Sequence, residues 1–141
     1  MGALGTGSFE NDFALDWLND LKREGPAFVG QSLAMKSSIS SLMLGYIDAD
    51  EASGAIAAAE IVAAALGRPP RMWPDRAREW IAAHRAELRA EELRDKAFGA
   101  IAIIQEGSEL RELWAAEERF WPEWLAAIGD LEQRLKTATP P

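Results

Sequence analysis

The amino-acid sequence predicts an all-α, single-domain bundle of six or seven helices. Sustained alternation of polar and apolar residues is missing and β-branched residues are sparse, so strands leave no signature. Apolar residues recur instead at i, i+3 and i+4, the spacing that lines one side of a helix. Glycine and proline fall where these stretches stop, at Gly25-Pro26, at Gly67-Arg68-Pro69-Pro70 and at Gly107.

The first helix takes its cap from Asn11 or Asp12 and runs to Arg23, with Phe13, Ala14, Trp17, Leu18 and Leu21 along one face. Gly25-Pro26 closes it and opens a second helix over residues 27–44, stopped by Gly45. The serines of that stretch (Ser32, Ser37, Ser38, Ser40, Ser41) are mediocre helix formers, so packing has to hold it. Asp48-Ala49-Asp50-Glu51 reads as a capping box with Asp48 in the place of Ser or Thr, opening a helix that ends by Leu66. Its many alanines permit close approach of neighbouring helices. Pro74-Asp75 starts a fourth helix through Trp80, Ile81 and His84, with a break expected within residues 85–90.

A fifth helix is predicted over about residues 87–106. It contains the apolar run 97–104, which marks it as apolar all round and therefore as the central helix. Gly107-Ser108 supplies a stop and a new cap for residues 109–118. After a bend at Phe120-Trp121-Pro122, the last helix reaches Lys136 with Trp121, Trp124, Leu125, Ile128, Leu131 and Leu135 as its stripe. Residues 1–136 read as one helical domain and 137–141 as a disordered tail. Of the six tryptophans, Trp80, Trp114 and Trp124 sit at core spacings, whereas Trp73, between Met72 and Pro74, is expected to stay partly exposed.

Charge narrows the choice of partner. The chain of 141 residues has a formal net charge of −8, and it is unevenly placed. Residues 1–67 carry nine acids against three bases, while the remainder carries fourteen against twelve. No cationic footprint exists to offset phosphate charge, which argues against nucleic acid. An acidic surface repels anionic lipid and attracts basic proteins. No apolar run approaches the roughly 20 residues that cross a bilayer, and Met1–Glu10 lacks a secretory leader, so a cytoplasmic protein without a membrane partner is expected. Cysteine is absent, which removes thiolate chemistry and disulfides.

The opening Gly2, Gly5-x-Gly7-x-Phe9-x-Asn11-Asp12-x-Ala14-x-Asp16-Trp17-x-x-Asp20-Leu21 resembles that of the bacterial domain-of-unknown-function family numbered 4259. The acidic-then-alanine stretch from Tyr46 to Ala65, and Ser108-Glu109-Leu110-Arg111-Glu112-Leu113-Trp114 with the closing helix, are also similar to it. The resemblance implies a small, single-domain, bacterial cytoplasmic protein and brings no catalytic residues with it.

Candidate chemistry is sparse. Gly5-Thr6-Gly7 lacks the third glycine, preceding strand and following Lys-Ser/Thr of a phosphate loop, so the glycines read as backbone turns. Gly2 with Thr6 matches a myristoylation pattern, taken as accidental because no polybasic patch reinforces it. His84, the single histidine, has no acid or nucleophile at a catalytic spacing and reads as a packed side chain.

Asp12, Asp16 and Asp20 recur every four residues, so their carboxylates share one face of the first helix, extended by Glu24. Like charges at that spacing destabilise a helix by roughly 0.2–0.5 kcal/mol per pair. Structural use is the simplest account, docking of basic side chains the next. The leading expectation is a non-enzymatic protein-binding module, an immunity-type or regulatory partner of a basic protein. It acts through Asp12, Asp16, Asp20, Asp48 and Asp50, with Trp73 as an exposed aromatic; no catalytic, metal or cofactor residues are assigned. The alternative is a metal-assisted hydrolase using the same carboxylates with Glu60 or His84. Self-association through the stripe of the last helix is a third expectation.

Overall fold

Three helices begin on the caps that the sequence marks. The Asn11 side chain accepts from the Ala14 amide at 2.7 Å, Asp48 from the Glu51 amide at 2.8 Å, and Ser108 from the Arg111 amide at 3.1 Å. Each satisfies one of the four N–H groups that a helix start leaves unpaired. The structure, a computed structural model, describes residues 7–35 and 47–138. Among these it contains seven helices and no strands: α1 (Asp12–Glu24), α2 (Ala27–Leu33), α3 (Ala49–Ala65), α4 (Asp75–Leu88), α5 (Glu91–Glu106), α6 (Glu109–Ala115) and α7 (Trp121–Thr137).

The stops are equally local. At the end of α3, Gly67 takes φ +87° and donates to the Ala64 carbonyl at 3.0 Å, while Arg68 donates to Ala63 at 2.8 Å. This double bond is the Schellman closure, for which glycine is the natural residue. Gly25 also sits at φ +87° and lets the chain turn from α1 into α2, its amide on the Leu21 carbonyl at 2.9 Å.

The helix at the centre is α3. It is buried continuously from Ala52 to Ala65 and touches each of the other six helices. Small side chains make this possible, because a run of alanine lets six backbones approach one cylinder. One apolar core joins residues of all seven helices, with Trp17, Trp80, Trp114 and Trp124 buried in it. Trp17 stacks on Phe28 at 5.5 Å, and its indole N–H donates to the Ser32 hydroxyl at 2.8 Å.

Two expectations are corrected. The run 97–104 does not form the central helix: α5 turns Ala97, Ala100, Ile101 and Ile104 inward but leaves Ile103 49% exposed. The second helix closes at Leu33 rather than near residue 44, because Met35 adopts φ +46°, outside the right-handed helical region. The rest of that predicted helix, with its Gly45 stop, lies outside the described residues. Of the stripe of α7, Trp124, Ile128, Leu131 and Leu135 are buried in the core, whereas Trp121 is half-buried and Leu125 is 40% exposed. At the C-terminal end α7 includes Thr137 and Ala138 is buried, while residues 139–141 lie outside the described residues, as do Gly2, Gly5 and Thr6.

Candidate partner-binding site

The start of α3 is fixed from two sides, and this sets the geometry of the acidic surface. Besides the Asp48 cap, the Glu109 side chain accepts from the Ala49 amide at 2.7 Å, and the Glu109 amide donates to the Ile47 carbonyl at 2.9 Å. The N-terminal ends of α3 and α6 are thereby joined. Helix α1 packs across α3 where Gly54 has no side chain; a β-carbon there would lie 3.4 Å from the Trp17 ring and 3.5 Å from Phe13.

Between these three helices lies a groove of about 210 Å³, walled by Phe13, Ala49, Leu110, Leu113 and Trp114 with Asn11 and Ser53. Phe13 and Leu113 are 39% and 40% exposed. Among the described residues the single charged one in the lining is Asp50.

The predicted acids separate by role. Asp12 and Asp16 are exposed on the outward side of α1, and neither takes part in an ion pair or hydrogen bond among the described residues. Asp50 is likewise exposed and unpaired. Asp12 and Asp50 occupy first helical turns, where the macrodipole favours a carboxylate by about 0.3–1 kcal/mol; Asp16 has no such role. Asp20 pairs with Arg23 at 2.9 Å, a solvent-exposed bridge of little energetic weight. Asp48 is exposed but engaged as a cap. Trp73 is half-buried, with the Arg78 guanidinium 5.8 Å from its ring, and lines no part of the groove.

Sequence reasoning missed the most highly paired polar cluster. Glu60, in the middle of α3, is 2% exposed. Its Oε1 accepts from Arg134 Nη1 at 2.7 Å, and its Oε2 accepts from Arg134 Nη2 at 3.0 Å and from the Ser8 hydroxyl at 2.7 Å. Arg134 also donates to Asp130 at 2.8 Å and to the Arg68 carbonyl at 3.1 Å. Burial alone would lower the pKa of Arg134; the hydrogen bonds and charges of Glu60 and Asp130 outweigh it and raise that pKa. The cluster ties the segment before α1, the centre of α3, the loop after it and α7 together beneath an open cleft of about 580 Å³. One signal was present in the sequence: Glu60 is the only charge between Ala52 and Leu66.

With both oxygens committed to Arg134 and Ser8, Glu60 is placed as a structural anchor. Among the described residues no three His, Asp or Glu side chains converge to hold a metal ion. His84 lies half-buried against the Trp80 ring at 4.4 Å and, contrary to the expectation that no acid stands beside it, has the Glu87 carboxylate one turn on at 3.7 Å from its Nδ1.

These features define a small all-α protein with a charged staple through its core and an acidic, apolar-walled groove on its surface. The chain belongs to the family described as domain of unknown function DUF4259, whose profile matches residues 2–127. That match ends within α7, before Asp130 and Arg134. No curated protein and no solved structure matches the chain. Among the described residues no helix is long and apolar enough to cross a membrane.

Proposed function

We propose that the protein is a non-enzymatic binding module for a basic protein, an immunity-type or regulatory partner in the bacterial cytoplasm. One observation carries the reading: Asp12, Asp16 and Asp50 are exposed and, among the described residues, without counter-ions, and Asp50 lines a groove whose walls include exposed Phe13 and Leu113. Unpaired like charges at helical spacing cost stability, and a cationic partner relieves that cost on docking while raising the association rate. Asp20 and Asp48 contribute to the field but are already engaged inside the chain.

The test is retrieval of a partner from native lysate on the immobilised protein, followed by measurement of its affinity across a salt series. A basic protein is expected, with binding that weakens as salt rises. Asp12→Lys with Asp16→Lys is expected to reduce the association rate at least tenfold at low salt, with circular dichroism unchanged. Undiminished binding by that variant, or a partner that is acidic, removes the proposal.

A further inference from the structure

We infer that the groove between α1, α3 and α6 seats one large apolar side chain of a basic peptide segment, the anchor of the partner proposed above. The inference rests on that reading and adds the chemical form of the docking segment.

Size, wall chemistry and charge each narrow the occupant. A volume of about 210 Å³ lies below the roughly 300–1,000 Å³ of small-molecule sites, so the groove takes a side chain rather than a cofactor. Its walls are Phe13, Leu110, Leu113, Trp114 and the methyl group of Ala49, which gain by burying hydrocarbon and offer little to a polar group. Among the described residues no lysine or arginine lines it. Asp50 does, and Asp12 and Asp16 follow on α1 from Asn11, which also lines it. The basic residue of α6, Arg111, is drawn away onto the Trp121 ring at 5.3 Å. A lysine or arginine flanking the inserted side chain therefore meets carboxylates and, among the described lining residues, no competing cation. Charge complementarity selects a basic segment over an acidic or neutral one.

The seat is also built to hold its shape. Asn11 caps α1, Glu109 caps the start of α3 from α6, and Ser108 both caps α6 and donates to the Ile104 carbonyl at 3.1 Å. Each wall thus stands on a helix start that is pinned by hydrogen bonds, which limits the ordering cost on binding.

The experiment is an NMR titration of the isotopically labelled full-length chain with short helical Lys/Ala peptides at low ionic strength. One peptide carries a central leucine, a second serine at that position, and a third the leucine with glutamate replacing lysine. The leucine–lysine peptide is expected to bind about tenfold more tightly than the serine peptide, from partial burial of one aliphatic side chain. Its shifts should centre on Phe13, Ser53 and Leu113, and Leu113→Ser, a change at an exposed position, should bring the two peptides level. Equal affinity for leucine and serine peptides, still weakened by salt, overturns the anchor while leaving the acidic face intact. Binding of the glutamate peptide as tight as that of the lysine peptide overturns the basic character of the occupant. No shift with any peptide overturns both the groove and the acidic-face reading.

Discussion

A carboxylate in the interior of an alanine helix is tolerable when both oxygens are paired, and Glu60 meets that condition through Arg134 and Ser8. The two halves of such a pair are unequal in consequence. Arg134→Met leaves the buried carboxylate without its cation and is expected to lower the unfolding free energy by about 3–5 kcal/mol. Adding Glu60→Met to it removes the stranded charge and should restore most of that loss, since apolar replacement of a whole buried pair is often neutral. Urea denaturation of the single and double variants checks this; a double variant as unstable as the single one refutes it. The sign with pH is clear for the arginine. Its pKa is raised by folding, so its contribution is fully present below the ordinary arginine value and lost only as pH rises past the folded one. Neutral and mildly alkaline buffers should therefore leave the unfolding midpoint unchanged on its account. Glu60 was visible in the sequence as a lone charge, but its partner stands 74 positions away, and no local pattern links them. The caps at Asn11, Asp48 and Ser108 were legible because donor and acceptor are three residues apart.

At the scale of the element, the helix boundaries divide in the same way. Those of α1, α3, α6 and α7 follow short-range chemistry and were readable to within a residue or a few. The end of α2 depends on a positive φ at Met35, a conformation that a methionine does not announce. The central helix was misplaced because periodicity reports how apolar a helix is, not how closely its neighbours can approach. Nine alanines in α3 outweigh the bulkier isoleucines of α5 for that position. Glycines inside α5 and α7 give an element-level prediction. A β-carbon added at Gly99 or Gly129 meets no atom within 4 Å, so Gly99→Ala and Gly129→Ala should each stabilise by about 0.5–1 kcal/mol. Gly25→Ala finds equal space but stands at φ +87°, ψ −176°, a region nearly closed to other residues, and should destabilise by about 1–3 kcal/mol. Thermal unfolding of the three variants should show two midpoints raised and one lowered; a raised midpoint for Gly25→Ala would contradict the backbone argument.

For the whole molecule, the uneven charge makes two salt dependences of opposite sign. A net charge of −8, mostly held by the first 67 residues, repels itself within the folded protein, and the i, i+4 acids of α1 add to it. Raising ionic strength from about 0.01 M to about 0.15 M shortens the Debye length from roughly 30 Å to 8 Å and screens that repulsion. The unfolding temperature of the native chain should therefore rise over this range. Asp16→Lys, which lies outside the first turn, lowers the net charge to about −6 and turns its i, i+4 repulsions with Asp12 and Asp20 into attractions, so its unfolding temperature should start higher at low salt and rise less. Association with a basic partner has the reverse dependence, because the same screening weakens attraction between molecules. Scanning calorimetry and binding measured in one set of buffers separate the two effects. A protein whose stability and affinity both fell with salt would owe its acidic face to internal ion pairing, and Asp12, Asp16 and Asp50, exposed and unpaired among the described residues, predict otherwise.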